Sequence, residues 1–172
     1  MREQEIKLVC TEDEYDYFIE KFGRNCITVK YKQVYFSNGV RLTDNKTLCF
    51  KMPINSSNDR VRTSYELTAT VAPNDLVDVY NSYEISGYVE VLRHKIYPAT
   101  GRTVEVCVDM CKYANGKVDF EVEAEFKNKD YGQAIDFLSK LGFNPAGKIS
   151  SGKIVRANEN FDRSATRWIR NA

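Results

Sequence analysis

Two stretches of this 172-residue chain place an acid at every second position, and that period limits what each can become. The first is REQEIKL, where Glu3, Glu5 and Lys7 alternate with Gln4, Ile6 and Leu8. The second is FEVEAEF, where Glu121, Glu123 and Glu125 alternate with Val122, Ala124 and Phe126. Alternate residues of a β-strand share a face, so each stretch predicts a strand with one charged and one largely apolar face. Like charges side by side repel by about 1 kcal/mol at ~4 Å in water, and by more in a drier site. A bound cation is the simplest offset, and a hard ion such as Mg²⁺ or Mn²⁺ suits carboxylate oxygens. Lys7 would then hold an anion that the ion also touches. The plainer reading of either stretch alone is a solvated strand face.

Strands with bases at the same spacing lie between the two acidic ones. VLRHKIY carries Arg93 and Lys95 on one face, and TLCFK ends in Lys51. Acids at both ends of a β-rich chain and bases between them suggest one closed surface. Its acids would gather a metal and its bases a polyanion.

The rest of the chain supplies turns and covers. Thr11 with Glu14 is a capping-box signal, and Tyr15, Phe18, Ile19 and Phe22 follow at helical spacing up to Gly23. Strands are expected over 27–36 and 38–42 around an Asn38–Gly39 turn, and Asp44–Asn45 offers a turn before TLCFK. Residues 53–60 are polar and predict a loop, and 61–71 alternate as a strand. Pro73 opens a helix, strands resume over 86–97 and 103–111, and Asn115–Gly116 turns the chain into the glutamate strand at 117–127. Asp130 is placed to cap a helix ending at Gly142, and 157–170 predicts a terminal helix with Phe161, Trp168 and Ile169.

The chemistry of other classes finds little support. A net charge of +1 argues against a general nucleic-acid or membrane surface. No apolar run approaches the ~20 residues that span a bilayer, and the N-terminus carries no apolar signal region. Five cysteines, Cys10, Cys26, Cys49, Cys107 and Cys111, form no CxxC pair and are odd in number. A cytoplasmic protein is expected. The single histidine, His94, lies between Arg93 and Lys95 and so should point to the opposite strand face, and a nucleophile–histidine arrangement has little support beyond it.

The motifs also follow a known order. Glu3-x-Glu5-x-Lys7, Tyr35–Phe36, TLCFK with Lys51, RTSYELT with Arg62 and Glu66, Arg93 and Lys95 before Glu105 and Asp109, and Gly116 before Glu121 and Glu123 run over nearly the whole chain. In this order they resemble the CYTH domain of the triphosphate tunnel metalloenzyme superfamily. Two positions depart from the pattern: Thr43 stands where a second arginine usually follows Arg41, and Thr68 where a second glutamate follows Glu66.

The resemblance implies an α+β, β-dominated fold over 1–172 as one domain. Its core would be a closed antiparallel eight-stranded β-barrel with a charged interior and helices packed outside. It implies metal-dependent hydrolysis of a triphosphate, whether inorganic triphosphate, thiamine triphosphate or a nucleoside triphosphate, with Mg²⁺ or Mn²⁺ as cofactor. Glu3, Glu5, Glu121 and Glu123 are the expected metal-side carboxylates, with Glu125 in reserve because the register of the late strand is open. Together with Lys7 they form the expected catalytic set. Lys7, Arg41, Lys51, Arg62, Arg93 and Lys95 would clamp phosphate oxygens, and Lys153, after a Ser-Ser-Gly turn, is placed like a late family lysine at the tunnel mouth. Class IV adenylate cyclases and RNA 5′-triphosphatases share the scaffold, and a binder of phosphorylated small molecules without turnover is a third class. Nucleic acid enters these expectations only as an RNA 5′-triphosphate end.

Overall fold

The computed structural model describes residues 2–54, 58–99, 101–127 and 130–171. In chain order the elements are β1 (Arg2–Cys10), α1 (Glu12–Phe22), β2 (Ile27–Phe36), β3 (Val40–Thr43), β4 (Thr47–Ile54), β5 (Arg62–Thr70), α2 (Leu76–Ser82), β6 (Ile85–Ile96), β7 (Val104–Tyr113), β8 (Val118–Phe126), α3 (Tyr131–Lys140), α4 (Lys153–Glu159) and α5 (Thr166–Arg170). The strands close into a barrel in the order β1-β5-β4-β3-β2-β6-β7-β8. Every neighbouring pair is antiparallel. Closure leaves no open sheet edge.

Local chemistry sets the connections. Thr11 Oγ1 accepts from the Glu14 amide at 3.2 Å while the Thr11 amide donates to Glu14 Oε2 at 2.8 Å, so the capping box starts α1. Asp44 and Asn45 adopt φ of 50° and 54°, the left-handed region that short polar side chains tolerate, and this turns β3 into β4.

The apolar strand faces point outward, as a charged interior requires. Ile6, Leu8, Val106, Val108, Val122 and Ala124 form one core with Phe18 of α1 and Ala134 and Leu138 of α3. Val34, Phe36, Leu42 and Tyr88 form a second with Tyr80 of α2 and Ile169 of α5. No helix among the described residues is long and apolar enough to cross a membrane.

Three local expectations are corrected. β4 runs through Pro53 to Ile54, because both continue to pair with Ser64 and Thr63 of β5. Of the expected loop, residues 55–57 lie outside those described. Asp130 precedes α3, but its carboxylate accepts from Gln133 Nε2 at 3.3 Å and caps no amide. The helix expected over 157–170 is two helices. α4 begins at Lys153 and ends where Asn160 Nδ2 donates back to the Arg156 carbonyl at 2.7 Å. Asp162 then accepts from the Ser164 amide at 2.9 Å and starts a new turn.

α4 matters most for the site, because it lies across one end of the barrel. Its Ala157 packs against the inward-facing Tyr35, Val89, Val91, Cys111 and Tyr113, with Ile154 and Tyr31 beside them. Gly87 makes the close approach possible. A Cβ there would stand 3.0 Å from Ala157 Cβ and 3.1 Å from its carbonyl carbon. Gly87→Ala should therefore push α4 off its seat. Overpacking of this kind costs about 1–3 kcal/mol. A fall in Tm of about 2–12 °C is expected, with new protease cleavage in α4. An unchanged Tm would contradict this seating.

Candidate active site

The barrel encloses a cavity of about 510 Å³. β1 contributes Glu3, Glu5 and Lys7 to its wall, and β8 contributes Glu123 and Glu125. In the register of these strands Glu5 faces Glu125 and Lys7 faces Glu123, so like charges meet directly at one level. Arg41, Lys51, Arg62, Glu66 and Arg93 reach the same cavity from β3, β4, β5 and β6, and Lys153 reaches it from the first turn of α4.

The three late glutamates differ in depth. All three late glutamates share the inward face, but Glu121 is fully buried below the cavity and does not line it. Lys153 Nζ and Arg156 Nη1 pair with it, the latter at 2.7 Å, and Ser150 Oγ donates to it. Burial alone would raise its pKa. Lys153, Lys7 and Arg156 outweigh that and hold it well below the ordinary carboxylate range. Asp109 is likewise consumed: Arg93 grips it through two bonds of 2.8 Å, and Lys153 Nζ lies 2.7 Å away. Asp109, Glu121 and Glu123 lie close enough together to hold an ion, yet protein cations already stand among them.

Glu5, Glu123 and Glu125 form a second acidic trio of different character, with ligand oxygens within 4.8 Å of one another. Glu5 Oε2 is buried without a hydrogen-bond partner, and Lys51 Nζ stands 3.9 Å from it. Burial and the charge of Glu123 push the Glu5 carboxyl up to about 7. Burial, the charge of Glu123, a hydrogen bond shared with it, and Glu3 push Glu125 up to about 8. Glu123 stays ionised despite its burial, because Lys7, Arg93 and Lys153 surround it. An orphaned buried oxygen and two carboxyls that resist ionisation describe a site short of positive charge. A divalent cation on oxygen ligands fits that deficit.

The bases are placed unequally. Lys51 Nζ bridges Glu3 at 2.6 Å and Glu66 at 3.3 Å, and Lys7 bridges Glu5 at 3.3 Å and Glu123 at 3.1 Å. Arg41 lies near Glu66 at 3.7 Å and donates to Cys49 Sγ at 3.1 Å, while its buried Nε has no hydrogen-bond partner. Arg62 lines the cavity but donates to the Ser150 carbonyl, tying down the loop before α4. Lys95 does not line the cavity. It pairs with Glu105 at 2.9 Å, and Glu105 in turn accepts from the Tyr97 hydroxyl. His94 points out of the barrel between the Tyr15 and Thr28 hydroxyls, at 3.0 Å from each, and burial lowers its pKa.

Arg156 is the residue that sequence reasoning missed. It joins α4 to the wall through Glu121 and through Asp119 at 2.9 Å, and donates to the Tyr113 hydroxyl at 2.7 Å. Its spacing of three from Lys153 puts both on one helix face. That signal vanishes when the helix is started at 157.

No protein-family model matches the chain, and no curated protein does. Solved structures do. PH1012 of Pyrococcus horikoshii OT3 superposes with a TM-score of 0.65 at 17% identity, covering 90% of this chain and 98% of that one. HpAC1 from Hippeastrum, a putative adenylyl cyclase with a dominant triphosphatase activity, gives 0.64 at 14%, covering 91% and 95%. The RNA triphosphatase domain of a trifunctional mimivirus mRNA capping enzyme gives 0.50 at 11%, covering 81% and 87%. At these identities the likeness shows a shared fold, the closed antiparallel barrel.

The raised carboxyls make a signed prediction. Glu125 has an ordinary value of 4.5 and about 8 when folded, so between these pH values the folded protein holds a proton that the unfolded chain releases. Its contribution is complete below about 4.5 and is lost as pH rises toward 8. Glu125→Gln removes that loss. In chelator, the Tm of the variant minus that of the wild type should climb from about pH 5 to about pH 8. A flat or falling difference would show that Glu125 ionises freely.

Proposed function

We propose that this protein hydrolyses a phosphoanhydride bond of a small-molecule triphosphate with the help of a divalent cation, Mg²⁺ or Mn²⁺. One observation carries the reading: a trio of carboxylates, two of them pushed toward the neutral form, shares one cavity with a row of bases. The tunnel fold shared with HpAC1 and the mimivirus RNA triphosphatase domain supports it.

The chain's own residues divide the work. Glu5, Glu123 and Glu125 would hold the cation, with Glu3 beside them through Lys51. When bound, the ion would polarise the terminal phosphoryl group and make a neighbouring water more acidic. Lys7, Lys51 and Arg41 line the cavity and would take the phosphate oxygens, offsetting charge that builds as the bond breaks. The unpartnered Nε of Arg41 suits such a contact. Arg93 and Lys153 are bound to Asp109 and Glu123, so they act from behind, keeping Glu123 ionised. Glu121 and Arg156 hold Lys153 in place. α4 covers one end of the barrel, so a substrate would enter from the other. That arrangement suits a compact triphosphate better than a threaded strand.

A product screen over inorganic triphosphate, thiamine triphosphate and nucleoside triphosphates tests this. Orthophosphate release is expected with Mg²⁺ or Mn²⁺ and should vanish in EDTA. Undiminished turnover in metal-free buffer would overturn the mechanism. Pyrophosphate with a cyclic nucleotide would mark a cyclase, and tight binding without any product would mark a binder.

Kinetics of variants separate the two walls. Glu5→Gln keeps the shape and removes the charge, so kcat should drop by about 100-fold, with partial recovery at high metal. Lys51→Ala should raise KM as well as lower kcat. Near-normal activity of Glu5→Gln at low metal would make this strand face structural only.

A further inference from the structure

The inner face of β2 continues past the cavity toward the open end of the barrel. Tyr31, Gln33 and Tyr35 line the cavity, and the register of β2 with β6 is unbroken from Ile27 to Tyr35. Val29 stands opposite Arg93 and Ile27 opposite Lys95, and directly opposed residues share a face, so both point inward. Thr28, between them, turns outward to His94. Val29 is 37% exposed and Ile27 52%. β3 pairs with β2 only from Gln33 to Tyr35, so β2 rises above that neighbour at the rim. Exposed apolar side chains are ordinary on an outer surface. On an inner face lined elsewhere by charge, these two give the mouth one apolar side. Tyr31 stands next along the strand. The Arg93 guanidinium lies 5.7 Å from its ring centroid, and its hydroxyl has no hydrogen-bond partner among the described residues. Each two-residue step along β2 advances ~7 Å. From the mouth inward, the strand therefore presents apolar surface, then a hydroxyl, then the level of the phosphate-binding bases.

We propose that Ile27, Val29 and Tyr31 seat the nucleoside of a nucleoside triphosphate, a claim that rests on the triphosphate site proposed above. α4 covers the far end of the barrel, so a triphosphate held by Lys7, Lys51 and Arg41 points its substituent toward the open end. The order of groups along β2 matches that of the molecule. An apolar-faced base would lie on Ile27 and Val29, ribose hydroxyls would meet the Tyr31 hydroxyl, and the phosphates would reach the bases. Inorganic triphosphate would leave the strip bare. The thiazolium cation of thiamine triphosphate would find no counter-charge on it. The inner face of β2 holds no acid from Ile27 to Tyr35, and the residues opposite Ile27 and Val29 are Lys95 and Arg93. An uncharged base needs no counter-charge there.

ATP, inorganic triphosphate and thiamine triphosphate serve as probes, with binding measured by calorimetry in EDTA and phosphate release measured with Mg²⁺. ATP should bind, and react by kcat/KM, at least ~10-fold better than either of the others. Ile27→Thr with Val29→Thr keeps both side chains β-branched while making the strip polar. The preference for ATP over inorganic triphosphate should then fall by about 10-fold. Tyr31→Phe removes only a hydroxyl, should lower the preference in the same direction, and serves if the double variant fails to fold. A wild type that treats ATP no better than either other compound overturns the proposal. So does an ATP preference that survives both changes. Strip-dependent ATP binding without phosphate release would uphold the seat and refute hydrolysis instead. Phosphate release from all three at equal kcat/KM would uphold hydrolysis and refute the seat.

Discussion

The interior of this barrel holds carboxylates and cationic side chains at a density that only mutual neutralisation permits. A charge taken out of water costs several kcal/mol unless it is paired and hydrogen-bonded. Asp109 and Glu121, both fully buried, meet that demand through Arg93, Lys153 and Arg156. Glu5, despite Lys7 at 3.3 Å, and Glu125 meet it less fully, and burial with the charge of Glu123 pushes their carboxyls toward the neutral form. The boundary between the balanced and unbalanced parts of the interior is the boundary between scaffold and candidate site.

The fold makes this imbalance possible in two ways. A two-residue period turns Ile6, Val108, Val122 and Ala124 outward, where α1 and α3 cover them. The closed end supplies the rest. α4 inserts Lys153 beside Asp109, Glu121 and Glu123, and Gly87 lets the helix approach. α4 thus neutralises the buried acids at its own end, while Glu5, farther along β1, has only Lys7 at 3.3 Å and Lys51 at 3.9 Å beside it.

Much of this was legible in the sequence. The alternation in REQEIKL and FEVEAEF fixes which side chains share a face, and the capping box at Thr11 and the turns at Asp44–Asn45 and Asn115–Gly116 fix where strands and helices change. What alternation cannot tell is depth along the tunnel. Glu121, Glu123 and Glu125 share one face and one residue type, yet Glu121 is consumed by Lys153 and Arg156 while Glu125 is not. That distinction depends on where a helix from the far end of the chain comes to rest. Lys95 and Arg62 show the same limit: strand parity turns them inward, but Glu105 and the Ser150 carbonyl claim them. The start of α4 was hidden because Lys153 follows a glycine at φ of 91° without a capping side chain.

In the proposed site Glu5 and Glu125 would receive a cation, and without one their raised carboxyls hold protons. Calorimetric titration of Mn²⁺ near pH 7, in two buffers of different ionisation enthalpy, measures this directly. With carboxyls at about 7 and about 8, binding of one ion per chain should release about one proton or more. The Glu5→Gln, Glu125→Gln double variant should bind far more weakly and release none. Binding without proton release, or equal affinity in wild type and variant, would contradict the account.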